Sequence, residues 1–358
     1  MDGKPRLKGR GSTITPANRF ETIRREDDFE QLEPEDELAE ERNLRTEYLP
    51  DDSQSIVVEN NSPDIPFRYS VNAYRGCSHG CSYCYARPSH EYLGLNAGID
   101  FESKVFVKHR APELLRAWLA REAWTPETIV FSGVTDCYQP VEREFRLTRG
   151  CLEVANAARQ PIALITKNAL VLRDVDLLAD MATRQTVALT LSITTLDAEL
   201  ARIMEPRTSP PAARLRAVRE LTEAGVPTSV LVAPVIPGLT DTEIPAILQA
   251  VAEAGAISAS FQLLRLPQTV RPVFLDWLAR TQPNRYSRVE TMIRATRDGA
   301  LNDAQFGRRM RGQGPYAEQI ATTFRVFAAR HGLDRRLPPL DATQFHPPHD
   351  RAGQMRLF

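Results

Sequence analysis

Three cysteines lie close together in the segment NAYRGCSHGCSYCYAR, where Cys77, Cys81 and Cys84 have the spacing C-x3-C-x2-C. Three thiolates this close can converge only if the loop wraps around a bound group, and Gly76 and Gly80 supply the backbone freedom that the wrap requires. A metal centre is the simplest such group. Because a [4Fe-4S] cluster takes four cysteinates, three from one loop leave one iron without a protein ligand. That open iron could bind a substrate or a cofactor.

A zinc site is the alternative for the same loop, with His79 or His90 as the fourth ligand of a Cys3His set. Zinc sites more often combine two short C-x2-C segments, and Cys137 and Cys151 do not form a second one. Five cysteines are an odd number, and the first residues of the chain lack the apolar core of a signal peptide. A disulfide framework therefore explains the cysteines poorly.

The cysteine spacing resembles the signature of the radical SAM superfamily, and Tyr83 matches the aromatic residue that usually precedes its third cysteine. The resemblance implies a [4Fe-4S] cluster on the three cysteines, with S-adenosylmethionine chelated by the open iron. It also implies reductive cleavage of S-adenosylmethionine to a 5'-deoxyadenosyl radical. Electrons would come from an external donor of the flavodoxin or ferredoxin type. The implied fold is a partial (β/α)6 barrel.

Within that superfamily, the chain resembles spore photoproduct lyase and its uncharacterised bacterial relatives. The likeness rests on the cysteine-containing segment and on three later ones, LITKNALVLRDVDLL, TLSITTLDAELARIMEPRTSP and VPTSVLVAPVIPG. It implies that Lys167 and Ser192 contact S-adenosylmethionine, and Tyr83 and Asp136 are further candidates for cofactor binding. The alternatives are that Lys167 is a solvated charge at a strand end and that Ser192 is a satisfied barrel residue.

The segment FSGVTDCYQPVERE departs from the lyase pattern. When the Asp136 positions are matched, Gly133 stands where the lyase has a cysteine that donates a hydrogen atom. Cys137 follows four residues later, and its thiol could donate a hydrogen atom or quench a product radical. The alternative is that Cys137 is a small buried hydrophobe, as we expect for Cys151. The departure counts against photoproduct reversal by the lyase's route.

Secondary-structure elements must position these residues, and along the chain six β-rich segments alternate with helical patterns. The predicted strands are 67–74, 128–132, 161–166, 186–193, 227–235 and 258–266. Helices lie between them, such as PELLRAWLARE, with proline in its first turn, and PAARLRAVRELTEAG, closed by Gly225. The alternation predicts a parallel α/β sheet. A barrel is favoured over a doubly wound sheet because no glycine-rich phosphate loop follows a strand and polar residues follow the strand ends.

We therefore predict an α/β fold, a partial (β/α)6 radical SAM barrel over residues 65–282. A helical C-terminal extension should cover 283–333, followed by a tail over 334–358. Residues 1–64 contain few apolar runs and an acidic block, which predicts a mostly disordered N-terminal arm. The chain is 42% hydrophobic and 25% charged, with no apolar window long enough to span a membrane. These features predict a cytoplasmic protein without membrane contact.

A nucleic-acid substrate is suggested by the arginines of residues 265–336, where 14 arginines stand against 6 acids although the formal net charge of the chain is -1. The most concentrated group is accompanied by aromatic residues and consists of Phe306, Arg308, Arg309, Arg311 and Tyr316. Guanidinium and stacking groups together suit nucleic acid. The alternative is an arginine-rich helical face paired with acids.

The final residues resemble the peptide by which bacterial replication and repair proteins dock on the DNA sliding clamp. In the pattern Gln-x-x-Leu-Phe, Leu357 and Phe358 would fill an apolar pocket while Gln354 forms hydrogen bonds at its edge. The alternative is that the two apolar side chains fold back on the protein's own surface.

Two classes of function follow from these patterns. The first is a radical SAM enzyme that abstracts hydrogen from an unknown substrate, with nucleic acid in a DNA-repair context as the candidate. The second is an interaction protein whose iron–sulfur or zinc site is structural and which is recruited to the sliding clamp. Release of 5'-deoxyadenosine from S-adenosylmethionine separates the two classes.

Overall fold

The computed structural model describes residues 9–20 and 45–348. The strands in these residues are β1 (Glu47–Pro50), β2 (Val57–Glu59), β3 (Tyr69–Val71), β4 (Tyr74–Arg75), β5 (Lys104–Val107), β6 (Ile129–Phe131), β7 (Ile162–Thr166), β8 (Val187–Ser192), β9 (Thr228–Val235) and β10 (Ser258–Leu263).

The α-helices of the same residues are α1 (Ile99–Ser103), α2 (Ala111–Leu119), α3 (Glu142–Phe145), α4 (Leu147–Ala157), α5 (Val175–Thr183), α6 (Ala198–Met204), α7 (Pro211–Glu223), α8 (Ile244–Glu253), α9 (Val270–Thr281), α10 (Tyr286–Ala295) and α11 (Pro315–Arg330). Short 3-10 helices cover Arg87–Leu93, Ala169–Asp174, Asp241–Glu243 and Pro283–Arg285.

One sheet forms the centre of the fold, with the strand order β10-β9-β8-β7-β6-β3-β2. Its six strands from β3 to β10 are parallel neighbours in chain order, and β2 pairs with β3 in antiparallel fashion at one edge. These six strands are the predicted ones, so the expected partial (β/α)6 barrel is confirmed. Their carboxyl ends share one edge of the sheet, which we call the carboxyl edge.

Local sequence explains why these segments form strands and crossover helices. The β8 segment VALTLS is buried along almost its whole length, as expected for a strand covered on both faces. Helix α2 has proline in its first turn, and α7 begins at Pro211, where the missing N–H has no intrahelical acceptor to lose. Gly225 follows α7 with a φ of +79°, a conformation that favours glycine and ends the helix.

The N-terminal part of the chain corrects the prediction of a mostly disordered arm. Residues 9–20 pack against the barrel, and β1 pairs in parallel with β5 in a small sheet of order β1-β5-β4. The arm prediction is wrong for 9–20 and 45–64, while 1–8 and 21–44 lie outside the described residues. Composition did not reveal β1 and β2, because such short strands are stabilised by the strands with which they pair rather than by their own sequence.

The C-terminal extension packs onto the barrel and completes its core. The ring of Phe324 on α11 lies 4.8 Å from that of Phe261 on β10, measured between centroids. The segment that follows α11 returns to the end of the sheet opposite the carboxyl edge. There the His346 N–H donates to the carbonyl oxygen of Ala158, which precedes β7 (3.0 Å). The predicted clamp peptide lies outside the described residues. Within 9–20 and 45–348, no helix combines the length and apolar character that crossing a membrane requires.

Candidate active site

The cysteine loop (residues 76–86) follows β4 at the carboxyl edge of the sheet. The Cys77 N–H donates to the Phe101 carbonyl oxygen (3.0 Å), which fixes the start of the loop. Gly76 has a φ of +84°, and a Cβ at this position would lie 2.7 Å from Cε1 of His90. Only glycine meets both conditions, so the wrap expected from the sequence is built into the backbone.

The three cysteines of the loop are free, and two of them are buried. Cys77 and Cys81 are each 7% exposed, and Cys84 is half-buried. Burial, with added contributions from Asp136 and Cys84, raises the pKa of Cys77 to about 12. Burial and then Glu205 raise the pKa of Cys81 well above its usual value. Since thiolates are the ligands of metals, these groups would ionise only in the presence of a compensating positive centre.

The loop fits an iron–sulfur cluster better than a single ion. Among the described residues, no three His, Cys, Asp or Glu side chains converge as ligands of one metal ion must. In a [4Fe-4S] cluster each cysteine binds a different iron, so the thiols need not converge on a single point. The hydroxyls of Ser78 and Ser82, which alternate with the cysteines, are buried without a hydrogen-bond partner, as expected of a loop that wraps an additional group.

The two histidines of the zinc alternative are engaged elsewhere. His79 Nε2 lies 3.2 Å from the Asn168 amide nitrogen, and its Nδ1 lies 3.6 Å from Asp136 Oδ2. His90 Nε2 lies 2.8 Å from the carbonyl oxygen of Lys104. Burial lowers the pKa of both rings. His90 Nδ1 is buried without a hydrogen-bond partner, but among the described residues neither histidine joins the cysteines in a set that could hold one metal ion.

A buried ion-pair cluster lies beside the loop and centres on Glu205, which sequence reasoning missed. Its carboxylate accepts hydrogen bonds from Arg214, from the Tyr83 hydroxyl and from the Thr194 hydroxyl (2.7 Å). Lys167 Nζ is 3.5 Å away. Burial alone would raise the pKa of Glu205, but Arg214 and then Lys167 outweigh it and lower the pKa to about 2. At neutral pH the group is therefore an anion, and it holds the Tyr83 hydroxyl in place.

Lys167 is not the solvated strand-end charge of the alternative interpretation. Its Nζ donates to the Ala233 carbonyl oxygen (2.8 Å) and to the Thr194 hydroxyl (3.4 Å). It also lies 5.8 Å from the centroid of the Tyr83 ring. Ser192, at the end of β8, is buried, and its carbonyl oxygen accepts a hydrogen bond from Arg214 Nη1 (2.9 Å). The structure thus brings Lys167 together with Tyr83 of the cysteine loop around Glu205, while Ser192 joins this group only through Arg214.

Asp136 connects the end of β6 to the end of β7. Its Oδ1 accepts from the Tyr138 N–H (2.8 Å) and from the Thr166 hydroxyl (2.7 Å), and its Oδ2 accepts from the Lys167 N–H (2.8 Å). Both oxygens are therefore occupied by protein donors. This arrangement makes Asp136 a positioning residue for Lys167 in the structure.

Cys137 packs in the main hydrophobic core rather than at the loop. Its Sγ is directed at the Ile165 carbonyl oxygen (3.9 Å), and burial raises the pKa of the thiol well above its usual value. This placement fits the buried-hydrophobe interpretation of Cys137. Cys151 on α4 is also in the core. Gly133, which precedes Cys137 in the same segment, does contact the cysteine loop: its carbonyl oxygen accepts a hydrogen bond from the Tyr85 hydroxyl (2.6 Å).

Arg87 and Glu102 form a second buried pair that sequence reasoning missed. Arg87 Nε donates to the Cys81 carbonyl oxygen (3.0 Å), and its Nη2 donates to Glu102 Oε2 (2.7 Å). The other Glu102 oxygen accepts from the N–H groups of Arg10 (2.5 Å) and Gly11 (3.0 Å). The N-terminal segment (residues 9–20) is thereby linked to the backbone of the cysteine loop. No spacing in the sequence signals these contacts, because the partners are far apart in the chain.

Comparison with known proteins assigns the chain to a family. A family model described as the radical SAM superfamily matches residues 71–251, about half of the chain. The chain belongs to the radical SAM superfamily. It is accordingly an enzyme that uses a [4Fe-4S] cluster and S-adenosylmethionine, as the resemblance of the cysteine loop implied. The interaction-protein alternative, in which the cluster is only structural, is wrong.

Relatives of the chain include uncharacterised proteins of bacteria and archaea. It is 40% identical over 236 residues to an uncharacterised protein of Mycobacterium tuberculosis, a match that covers 65% of this chain and 69% of that protein. An uncharacterised protein of Methanocaldococcus jannaschii is 33% identical over 184 residues, covering 51% of this chain and 66% of the relative.

Among solved structures, the chain is similar to spore photoproduct lyase complexed with dinucleoside spore photoproduct. That match has a TM-score of 0.59 and 17% identity, and it covers 82% of each chain. A mutant of the same lyase matches with a TM-score of 0.57 and 18% identity, covering 88% of this chain and 85% of the other. At this identity the likeness describes the fold, which the two proteins share.

Proposed function

We propose that Cys77, Cys81 and Cys84 hold the [4Fe-4S] cluster and that the enzyme cleaves S-adenosylmethionine reductively. The cluster, when bound and reduced, supplies the electron that splits the sulfonium and yields a 5'-deoxyadenosyl radical. The observation that carries this proposal is a loop with three free cysteines, two of them buried, and two buried hydroxyls that have no partner. The chain's own contribution is to fix the backbone of this loop, through the Cys77 N–H and through Arg87 on the Cys81 carbonyl oxygen.

Iron analysis after anaerobic reconstitution tests the assignment of the cluster ligands. Replacement of Cys77, Cys81 and Cys84 together by alanine should remove the brown chromophore and about four irons per chain, because no thiolate ligand remains. Cys151→Ala is the matched control, since it removes a free buried thiol outside the loop and should retain the iron. Retention of iron by the triple variant, or one zinc per chain in the parent protein, would overturn the assignment.

We assign Tyr83, Lys167 and Ser192 to the binding of S-adenosylmethionine. Tyr83 is in the cysteine loop, Lys167 lies over its ring, and Ser192 is linked to them through Arg214 and Glu205. Lys167 brings a positive charge that could pair with the carboxylate of the cofactor. Asp136 supports this group by accepting the Lys167 N–H (2.8 Å). Cys137 as a donor of a hydrogen atom has weaker support because its thiol is directed at a backbone carbonyl oxygen in the core.

The substrate class we propose is nucleic acid, in a DNA-repair context. Its support is the excess of arginine over acid in residues 265–336 and the exposed aromatic side chains Tyr85 and Phe306 near the barrel opening. The structural neighbour that carries a dinucleoside is consistent with this class, although it shares only 17% identity with the chain. Binding should weaken steeply with salt, since phosphate contacts release counterions.

Two partners complete the proposal. An external donor of the flavodoxin or ferredoxin type would supply the electron in the cytoplasm. The peptide containing Gln354, Leu357 and Phe358 would dock the enzyme on a bacterial DNA sliding clamp. Its test is binding of the C-terminal decapeptide to a cognate clamp, with a peptide in which Leu357 and Phe358 are alanine as the control. Equal or absent binding of both peptides would exclude the clamp as a partner.

A further inference from the structure

Arg265 follows β10 at the carboxyl edge of the sheet and contacts the cysteine loop. Its guanidinium carbon lies 5.7 Å from the centroid of the Tyr85 ring. Tyr85 in turn donates its hydroxyl to the carbonyl oxygen of Gly133, which follows β6. The contact therefore joins residues from three separate parts of the barrel opening. It places a cation on an aromatic face beside the cluster ligands.

Among the residues that the structure describes, Arg265 forms no ion pair of its own, and the carboxylate that attracts it, Asp64, is already paired with Arg309. Its Nη1 contacts the sulfur of Met310 (3.5 Å), and its Nε is buried without a hydrogen-bond partner. Burial, followed by the charge of Arg309, lowers the pKa of Arg265. A half-buried guanidinium that shares its attracting carboxylate with Arg309 is incompletely compensated in the free protein, and an anion that bound there would relieve this.

Two neighbouring arginines, Arg308 and Arg309, differ from Arg265 in this respect. Arg308 pairs with Asp303 (3.3 Å), and Arg309 pairs with Asp64 (2.6 Å). Their charges are thus compensated within the protein. Arg309 has a second contact, since its guanidinium carbon lies 4.5 Å from the centroid of the Phe306 ring. The pair with Asp64 therefore also holds the phenylalanine in place.

Exposed apolar side chains surround the same opening. Tyr85 is 49% exposed, Val134 is 41% exposed and Phe306 is 58% exposed. A group of large exposed apolar side chains indicates an interaction surface, because a folded protein usually buries such side chains unless they serve an interaction. Aromatic faces next to arginine are the composition of sites that stack bases and pair with phosphates.

We propose that the rim, defined as Tyr85, Val134, Arg265, Phe306 and Arg309, binds a single-stranded segment of nucleic acid, with Arg265 as its phosphate-binding residue. The planar fork of a guanidinium matches a phosphate, and an arginine that forms no ion pair of its own is free to donate hydrogen bonds to one. Tyr85 and Phe306 supply faces on which bases stack. This inference rests on the proposed nucleic-acid substrate and names the residues that recognise it.

Fluorescence anisotropy with a labelled DNA single strand of about 12 nucleotides tests the proposal on the full-length, anaerobically reconstituted enzyme. Arg265→Ala should weaken binding about tenfold and reduce the dependence of affinity on salt by about one phosphate contact, measured between about 50 and 200 mM salt. The matched control is Arg219→Ala, because Arg219 is an exposed arginine on the outer helix α7. It should bind within about twofold of the parent protein.

The possible outcomes separate the inference from the proposed function. If Arg265→Ala and Arg219→Ala bind equally well, the assignment of Arg265 is overturned while a nucleic-acid substrate stands. If the parent protein binds no strand at about 50 mM salt, both the rim and the nucleic-acid substrate are overturned. Iron content and the denaturant midpoint of Arg265→Ala should equal those of the parent, and loss of either would show that Arg265 serves the fold instead.

Discussion

Glu205 shows at the scale of one residue how the site is held together. It is a buried carboxylate with two cationic partners, Arg214 and Lys167, and with the Tyr83 hydroxyl as a donor. Removal of one partner from such a group leaves the remaining charges buried and uncompensated, which is strongly destabilising. The residue is therefore a positioning residue, and its effect on stability should depend on pH.

We expect Glu205→Gln to destabilise the protein in a pH-dependent way. The pKa of Glu205 is about 2 in the folded protein and 4.5 in its ordinary state. Its ionised form therefore contributes stability on the order of 3 kcal/mol above pH about 4.5, and this is lost as the pH falls toward about 2. Urea unfolding of the metal-free proteins should show the gap between parent and Glu205→Gln shrinking over that range. The control is Glu223→Gln, on an exposed side chain of α7, and a gap independent of pH would contradict this account.

Lys167 tests the cofactor assignment at the same scale. Lys167→Met removes the charge while it keeps most of the volume of the side chain. It should weaken binding of S-adenosylmethionine at least about tenfold, because a hydrogen bond to a charged group is lost. Equilibrium dialysis of the reconstituted proteins measures this, with Lys104→Met as the control for a lysine that pairs with Asp100 on α1. Parent-like affinity of Lys167→Met, with iron intact, would show that the lysine only supports Glu205.

Residue-scale features differ in how far the sequence could predict them. The three cysteines are local in sequence, so their spacing alone predicts a metal centre, and Lys167 and Ser192 follow from resemblance of their segments. Glu205 and Arg214 could not be predicted, because a buried ion pair depends on which elements meet in space. Neither residue differs in type from the many acids and arginines that stay at the surface.

At the scale of elements, the N-terminal segment (residues 9–20) is the main departure from prediction. Composition failed to identify it because it docks mainly through backbone N–H groups and through polar side chains, such as Asn18 and Arg19 on Glu91, rather than through buried apolar side chains. Gly11 is packed so closely that a Cβ would lie 1.6 Å from the carbonyl oxygen of Gly80 in the cysteine loop. The six barrel strands, in contrast, carry their burial pattern in their own sequences and were predicted correctly.

Gly11→Ala should therefore loosen the cysteine loop, although Gly11 is far from the loop in the sequence. The added methyl group must displace the N-terminal segment, at a cost of about 1–3 kcal/mol. We expect iron to be lost to a chelator several times faster than from the parent. Gly133→Ala is the control, since a Cβ there meets nothing closer than 3.8 Å. Equal rates of iron loss for the two variants would show that residues 9–20 do not support the loop.

At the scale of the whole molecule, the side chains that could do chemistry lie at one edge of the sheet, the carboxyl edge. Loops after β4, β6, β7, β8 and β10 contribute the cysteines, Asp136, Lys167, Thr194 and Arg265 to the same end of the partial barrel. The C-terminal extension closes the core on the side of β10 and supplies Phe306 and Arg309 to the rim. This division leaves the radical chemistry to the barrel and the choice of substrate to elements around its opening.

Release of 5'-deoxyadenosine is the measurement that tests the central claim most directly. The reconstituted protein, reduced anaerobically in the presence of S-adenosylmethionine, should form 5'-deoxyadenosine, because three cysteines leave one iron free for the cofactor. Cys81→Ala should form none, while Cys151→Ala, which keeps the complete loop, should form it at the rate of the parent protein. Absence of 5'-deoxyadenosine from a parent protein that carries four irons per chain would contradict the account, as would equal formation by Cys81→Ala.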